Sequence, residues 1–452
     1  MSPSLPATLS LLACLCVVTD AGAQRVAPLD VVPSTPGGAS TTPAATTPAA
    51  TTPPPAVATT PPAVATAARA GPASNAFNPA LSLILSGRYA RTSLDPSTAS
   101  IRGLTLPPDA GIGLGSRGFS LGESELGLSA NIDPWLRGVA HVALGADDEV
   151  SVEEAYVQTI ALDHGLTLKA GRFFSGVGYL NEQHAHVWDF ADNPLAYQAL
   201  LGTQYGDDGV QLRWLAPTDR FVQLGLEVGR GRSYPGSDPA GNGAGMFALS
   251  AHVGDDIGAS QSWRAGLSLL RARAQDQALG FTGADGADLP GAFTGSTRVL
   301  IADAVWKWAP QGNPRSRNLK LQGEYLRATR SGSLAFEPSG DAPAADAPVG
   351  DYRVVQSGWY LQAVYQFMPR WRTGLRIERI ASGAPSFGGD VSPAIAERAG
   401  AGKQTLMLEF NPSEFSRVRL QYARDRSRGD ATDNQLLLQF IVSLGAHGAH
   451  GF

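Results

Sequence analysis

The sequence predicts an all-β fold, a transmembrane antiparallel β-barrel of about sixteen strands. Three observations predict it. From about residue 76 to 452, apolar and polar residues alternate in short segments that end at Gly, Pro or Asp. The connections between these segments are short and long in turn, and only 17% of the residues are charged, with a mean hydropathy of −0.07. Weak hydropathy with strong alternation is typical of membrane barrels, whose lumen-facing side chains are polar.

The first 23 residues predict a secretory signal peptide and therefore export. An apolar stretch, residues 9–18, precedes Ala21-Gly22-Ala23, an A-x-A site that predicts cleavage after Ala23. The stretch is too short for a spanning helix, which needs roughly 20 apolar residues. An alternative is a lipoprotein, because residues 11–14 resemble a lipoprotein cleavage box that would leave Cys14 lipidated. With either start, the expected location is the bacterial outer membrane.

Residues 24–75 are rich in Pro, Thr and Ala, as in TTPAATTPAATTPPPAVATTPPAVATAA. Such a segment cannot bury enough apolar surface to fold, so we predict a disordered, semi-rigid periplasmic spacer. The predicted regions are thus a signal peptide (1–23), a spacer (24–75) and a barrel (76–452). Cys14 and Cys16 are the two cysteines, and cleavage after Ala23 would remove both, which excludes a disulfide framework in the mature chain.

Each predicted strand has one apolar and one polar face. Val210, Leu212 and Trp214 alternate with Gln211 and Arg213, and the same pattern recurs at 222–228, 263–269, 302–308, 319–325, 359–367, 406–410 and 417–422. Successive side chains of a strand point to opposite faces of its sheet. A soluble β-sandwich would alternate as well. Here, however, the polar faces carry long charged residues, and the apolar faces end in Trp, Tyr and Phe, which is typical of interfacial aromatic girdles.

The longest predicted loop is the third one, at about 174–206. It contains more aromatic residues and leucines than a loop in water should, so we predict that it folds into the lumen as a constriction. The charged residues expected to meet there are Arg172, Glu182, His184, His186, Asp189, Asp192 and Arg213. Opposed charges in a narrow pore select ions by size and charge. The alternative is a loop packed over the mouth or against a neighbouring subunit. Other long loops are predicted at about 92–117, 231–244, 273–296, 329–350 and 382–400.

Two histidine pairs suggest metal binding. His184 and His186 are alternate residues, which point the same way in an extended segment, so both could bind one ion with Glu182 or Asp189. His447 and His450 form a second pair near the end of the chain. Each pair supplies only two ligands, and loop histidines commonly bond to the backbone instead. We therefore predict no cofactor and keep zinc as an alternative.

Other function classes find little support in the sequence. The net charge of −5 gives no basic footprint for nucleic acid. A G-x-G-x-x-G match at residues 113–118 lacks the strand–turn–helix setting that dinucleotide binding needs. No nucleophile elbow is present, and no spacing pairs a serine with a histidine. We therefore predict that the protein is not an enzyme.

Several segments resemble a known family. They are SLGESELGLSANIDPWLRG, VEEAYVQTIAL, KAGRFFSGVGYLNEQHAHVWDF and QYGDDGVQLRWLAPTD. They are similar to a little-characterised proteobacterial outer-membrane family often labelled zinc-regulated TonB-dependent outer membrane receptor. The whole pattern also resembles general and phosphate-selective porins. The resemblance covers most of residues 76–452 and implies a porin-like barrel with a link to zinc. Receptors of the TonB-dependent class share a folded N-terminal plug and about twenty-two strands. In this sequence, a Pro/Thr/Ala segment stands in the place of the plug, and about sixteen strands are predicted.

The expected function is passive diffusion of small hydrophilic solutes or ions through an outer-membrane channel. One alternative is a zinc-responsive binding or uptake barrel, and another is a structural barrel tethered by its proline-rich arm. The expected partners are outer-membrane lipid, small solutes and the barrel-assembly machinery. Phe452 resembles the terminal aromatic residue that this machinery recognises. A homotrimer is also expected, since porins of this size commonly form trimers.

Overall fold

The computed structural model describes residues 79–445 apart from 105, 108–110, 147, 239–240, 283–287, 337–346, 389–399 and 430. Several predicted features lie outside the described residues: Cys14, cleavage after Ala23, the spacer 24–75, His447 and His450, and Phe452. No helix in the described ranges is long and apolar enough to cross a membrane.

Eighteen β-strands in the described part of the chain form one antiparallel sheet. They are β1 (Ala80–Thr92), β2 (Gly118–Leu121), β3 (Ser124–Asn131), β4 (Leu136–Leu144), β5 (Val150–Thr159), β6 (Leu166–Phe174), β7 (Gly206–Leu215), β8 (Phe221–Gly229), β9 (Met246–Ile257), β10 (Gln261–Thr282), β11 (Asp288–Trp308), β12 (Asn318–Phe336), β13 (Val349–Met368), β14 (Trp371–Ala381), β15 (Ser386–Phe387), β16 (Ala401–Ser413), β17 (Ser416–Asp425) and β18 (Asp433–Gly445). One α-helix, α1 (Leu195–Leu201), and 3-10 turns at Pro96–Thr98, Ala185–Val187 and Pro310–Gly312 complete the described elements.

The sheet closes into a sixteen-stranded barrel, as the sequence predicts. Strand β1 pairs with β18 from Ser82↔Gly445 to Thr92↔Gln435, which seals the barrel. Strands β2 and β3 both pair with β1 and together occupy one position in the ring. The two-residue β15 pairs with β13 beyond the end of β14, and β14 pairs directly with β16. Because the ring is closed, the sheet in the described residues has no free edge. A β-sheet must be closed in this way to span a membrane.

The barrel is apolar outside and polar inside, the reverse of a soluble protein. Outward-facing Leu267, Leu361 and Leu406 expose 69%, 56% and 57% of their surface. Inward-facing Arg419 and Glu409 are completely buried. An exposed apolar band around buried charges is stable only where the outer face meets hydrocarbon. The protein is therefore an outer-membrane β-barrel of porin-like architecture.

Exposed aromatic residues lie at both borders of the apolar band. Those near the short connections are Trp135, Trp214, Phe221 and Phe415, and those toward the long connections are Phe119, Phe247, Tyr325, Trp359 and Tyr422. Trp and Tyr are amphipathic and favour the headgroup level of a bilayer. These two girdles confirm the expectation drawn from the ends of the apolar segments.

The bounds of two predicted loops are wrong. Residues 273–296 and 329–350 were expected to be loops, but β10 runs to Thr282, β11 starts at Asp288 and β12 runs to Phe336. These strands extend beyond the apolar band as tall paired hairpins. The reason is an apolar cluster on one face of the extension, formed by Ala274, Leu279, Phe281, Phe293, Leu334, Phe336, Tyr352 and Val354. Burial of this face stabilises strand structure in a segment whose Gly and Asp content favours turns.

Candidate functional site: the third loop and the lumen wall

The third loop, residues 175–205 between β6 and β7, lies inside the barrel. Its ends are tied together by Asn181. The Asn181 side-chain amide donates to the carbonyls of Ser175 and Tyr205, each at 2.8 Å, and its oxygen accepts the Tyr205 amide at 2.8 Å. Glu227 of β8 accepts the amide of Gly176 at 2.8 Å and the hydroxyl of Ser175 at 2.5 Å. These bonds turn the chain inward immediately after β6 ends.

The first half of the loop approaches Glu324 of β12. The amides of Tyr179 and Leu180 donate to this carboxylate at 3.1 and 3.0 Å, and the Tyr197 hydroxyl donates to it at 2.8 Å. Gly178 permits the approach. Its φ is +72°, and a Cβ there would lie 2.4 Å from Glu324 Oε2. Only glycine combines that backbone with so close a contact.

Helix α1 is buried on every side, each of its seven residues being inaccessible to solvent. It ends at Gly202 in the left-handed conformation, and its first amide, that of Leu195, donates to Glu378 of β14 at 2.6 Å. Its side chains pack against inward-facing residues of the wall, among them Leu270, Val299, Ile301, Leu326 and Tyr360, and against Ile101 of the first loop. Its one amide side chain, Gln198, donates to the Asn193 carbonyl at 2.6 Å and accepts the Gly113 amide at 3.2 Å, and the other residues are apolar or aromatic, so the helix needs such burial. The wall therefore carries an apolar patch where the helix docks.

Two aspartates attach the loop to a cationic part of the wall on β12, β14 and β16. Asp189 accepts from Lys320 at 2.9 Å and also pairs with Arg372. Burial alone would raise the pKa of Asp189, but these two cations outweigh it and hold that pKa well below its usual range. The Asp189 carboxylate therefore stays ionised.

Asp192 repeats the arrangement. It accepts from Arg376 at 2.9 Å and from Lys403 at 2.5 Å, and Gln421 donates to it at 2.8 Å. Burial would raise the pKa of Asp192, but the charges of Lys403 and Arg376 lower it far below its ordinary value. Each loop aspartate thus faces two cations.

The loop histidines meet an acidic part of the wall on β3, β4 and β5. His184 Nδ1 lies 3.0 Å from Glu125 and 3.1 Å from Glu153, and its Nε2 lies 3.1 Å from Glu154. His141 Nδ1 bonds to the other oxygen of Glu125. Burial would lower the pKa of His184, but its three carboxylate neighbours raise it well above the usual range.

A β-bulge explains why two successive glutamates reach the lumen. Along β5, Val152 pairs with Val142 and Glu154 pairs with His141, so Glu153 is an extra residue in the ladder. In a regular strand, neighbouring side chains would face opposite sides. The bulge lets both Glu153 and Glu154 approach His184.

Most of the charged residues predicted for the constriction do lie in the lumen. Glu182 pairs with Arg213 of β7, His184 and His186 lie at Glu125, and Asp189 and Asp192 meet the cationic wall. The structure thus distributes them around the lumen, at the acidic wall, at the cationic wall and at β7, instead of gathering them at one point.

The prediction for Arg172 is wrong. This residue shares the outward face with Leu168, and it pairs with Asp208 at 2.6 Å on that face. Lys169 faces inward and is buried, and side chains alternate along a strand. Arg172, three residues farther along β6, must therefore point outward. The expected metal ligands Glu182 and Asp189 are also wrong, because they pair with Arg213, Lys320 and Arg372 instead.

Sequence reasoning missed Glu125, His141, Glu153 and Glu154, which surround the loop histidines, and Asn181, which ties the loop ends. The acids and His141 lie on β3, β4 and β5, so no local spacing relates them to the loop histidines, and nothing in the sequence distinguished Asn181 from other loop residues. Beside them, a cavity of about 400 Å³ opens from the lumen near the short connections, lined in part by Ser82, Arg137, His141, Tyr156 and Gln158.

No protein-family model matches the chain. A protein of Aquifex aeolicus (strain VF5), described only as uncharacterized, is 33% identical over 356 residues, which cover 74% of this chain and 70% of that protein. The chain belongs to the family of this Aquifex aeolicus protein.

Solved structures with a similar outline are outer-membrane proteins of low sequence identity. A loop-deletion mutant of OmpT, an outer membrane protein of Vibrio cholerae, is 12% identical, with 81% of this chain and 99% of that chain covered and a TM-score of 0.49. OprB of Pseudomonas putida is 15% identical, with 81% and 94% covered and a TM-score of 0.47. An anion-selective porin from Comamonas acidovorans is 11% identical, with 81% and 99% covered and a TM-score of 0.47. Because these identities and TM-scores are low, the fold is assigned from the strand pairing of the barrel itself.

Proposed function

We propose that the protein is a passive channel for small hydrophilic solutes and ions, with the third loop as its constriction. The observation that carries this proposal is the loop inside the barrel, bonded to the wall at β8, β12, β14 and β16. A loop held this firmly narrows the lumen to a fixed shape, whereas a loop in water would be mobile.

The two walls support selection by charge. The acidic wall is centred on β4, the third position of the sixteen in the ring, and the cationic wall spans the eleventh to the fourteenth, β12 to β16. The two walls therefore occupy separate arcs of the lumen. Unequal charge on the two arcs sets up a field across the path of a solute, reduced on the cationic side by Glu324, Glu378 and Glu409. Such a field favours small, strongly dipolar or charged solutes over apolar ones.

The test is single-channel conductance of the refolded full-length protein in a planar bilayer. The wild type is expected to show stable open steps, and a salt gradient then gives the sign of its selectivity. Replacing Asp189→Asn together with Asp192→Asn removes the ion pairs between the loop and the cationic wall, while Glu324 and Glu378 still bind the loop. A looser constriction and therefore larger steps are expected. Asp208→Asn is the matched control, since this acid lies on the outward face and leaves the loop bonds intact.

A second candidate is a closed barrel with a structural role. It is favoured by the complete burial of α1 and by its apolar contacts with both the wall and the first loop. Correctly folded protein that conducts neither as wild type nor as the Asp189→Asn/Asp192→Asn variant would contradict the channel proposal and support this one. Heat-modifiable gel mobility establishes that each sample is folded.

A further inference from the structure

Three imidazoles and one carboxylate converge where the third loop meets the acidic wall. The rings of His141 and His184 have centroids 4.5 Å apart, and those of His184 and His186 are stacked at 5.7 Å. Glu125 lies among them and is only 3% exposed. His141 Nδ1 bonds to its Oε1, and its Oε2 lies 3.0 Å from His184 Nδ1 and 3.3 Å from His186 Nδ1.

The Glu125 Oε2 atom is buried and has no hydrogen-bond partner, although two ring nitrogens approach it this closely. An unsatisfied buried carboxylate oxygen is costly. A metal ion among these atoms would remove the cost, because it binds the carboxylate and neutral imidazole nitrogens together. We propose that Glu125, His141 and His184 bind a divalent transition-metal ion, with His186 as the nearest fourth ligand.

The geometry fits one ion. The candidate ligand atoms of Glu125, His141 and His184 all lie within 4.8 Å of one another. Zinc–ligand distances of about 2.0–2.2 Å place ligands at most about 4.0–4.4 Å apart on one ion, so small side-chain rotations are sufficient. A set of imidazoles with one carboxylate suits Zn²⁺, Co²⁺, Ni²⁺ or Cu²⁺, whereas Ca²⁺ and Mg²⁺ prefer oxygen ligands alone.

Glu154 orients the central ligand. Its Oε2 lies 3.1 Å from His184 Nε2, and its Oε1 accepts the Phe174 amide at 3.1 Å. A carboxylate on the far nitrogen fixes the ring tautomer, as is usual for metal-bound histidine. The nitrogen that faces the ion is then Nδ1, whose present contact with Glu153 at 3.1 Å the ion would replace. Glu154 is thus a positioning residue.

The site has a route for the ion. His141 is one of the residues that line the cavity of about 400 Å³ near the short connections. The His141 side chain is 24% exposed, so an ion in this cavity contacts it first. Once bound, the ion joins β3 and β4 to the third loop and adds to the histidine–carboxylate contacts that hold the loop to the acidic wall.

The experiment titrates Co²⁺ into refolded full-length protein in detergent and records the visible absorption of the bound ion. One equivalent of Co²⁺ is expected to bind, and Zn²⁺ is expected to displace it. His141→Gln should abolish the signal, because it removes a ligand from a partly open position. Glu154→Gln should weaken binding by about 10–100-fold, the usual cost of losing a carboxylate behind a ligating histidine.

Two controls separate this site from other histidines. His164→Gln alters a histidine in the exposed turn between β5 and β6 and should leave binding unchanged. The double variant His447→Gln/His450→Gln should also keep one equivalent. Absence of Co²⁺ binding to folded wild type, or full binding by folded His141→Gln and Glu154→Gln, would overturn the proposal. Conductance measured without metal tests the channel separately, so the two proposals can fail independently.

Discussion

The third loop is attached to two separate parts of the barrel wall by two different chemistries. On the cationic wall, Asp189 and Asp192 each meet two cations, so their charges are balanced by the protein alone. On the acidic wall, His184 faces three carboxylates, and one oxygen of Glu125 has no hydrogen-bond partner. The first attachment is complete within the chain, whereas the second requires added positive charge, from protons or from a metal ion.

The largest effect is expected from Asp192→Ala. It removes the carboxylate shared by Arg376 and Lys403, which are 1% and 2% exposed, and leaves them Glu378 at 2.7 Å and Asp425 at 3.9 Å. Breaking a buried pair lowers the free energy of unfolding by about 3–5 kcal/mol, and the remaining partners make this an upper bound. His184→Ala, on the other wall, should cost less, about 1.5–3 kcal/mol, the range for hydrogen bonds to charged groups. Urea unfolding of both variants in detergent micelles checks the order, and an equal or reversed order would contradict the comparison.

The pH dependence of the cationic-wall attachment is the next expected effect. The pKa of Asp192 is lower in the folded protein than in the unfolded chain, so folding favours its ionised form. Its stabilising contribution is complete above the unfolded pKa of about 3.9 and is lost as the pH falls from there toward the folded pKa.

The stability difference between wild type and Asp192→Ala should therefore stay constant from about pH 7 to 5 and shrink only below about pH 4. Thermal unfolding of both proteins across this range measures it. A difference that stays the same between about pH 5 and 2 would mean that Asp192 titrates like an ordinary aspartate, with the same pKa in the folded and unfolded states.

The smallest effect is expected from Arg172→Gln. The Arg172–Asp208 pair lies on the outward face, and its side chains are 28% and 38% exposed. Exposed pairs typically contribute about 0–1 kcal/mol. The variant should unfold within about 1 kcal/mol of wild type and conduct identically. A large change in conductance would place Arg172 in the permeation path and contradict its outward orientation.

Alternation and turn residues predicted the barrel and its strand number, and the aromatic and leucine content of the third loop predicted its inward position. This was possible because a spanning strand needs one apolar face, and that requirement is visible in local sequence, as at Val210–Trp214. Local sequence was insufficient at 273–296 and 329–350. There, the apolar face forms only when β10, β11, β12 and β13 pair beyond the membrane. The Gly and Asp residues of these segments indicate turns, so the sequence pattern does not show the strands.

The site was only partly predictable. His184 and His186 stood out because they are close in sequence, but Glu125 and His141 come from other strands, and register alone brings them together. The orientation of Arg172 could have been predicted from the alternation of side chains along β6, since Lys169 faces inward and Arg172 is three residues away. The same rule would have failed at Glu153 and Glu154, because the bulge interrupts the alternation.

That bulge has an evolutionary consequence. Glu153 is one extra residue against an otherwise regular partner strand, so the side chains before and after it keep the faces that they would have without it. Deleting the Glu153 codon would leave a continuous β5 with a single lumenal glutamate and an unchanged lipid-facing surface. A one-residue insertion is therefore a short mutational path by which a barrel of this kind can gain a second carboxylate in its lumen without rebuilding its outer wall.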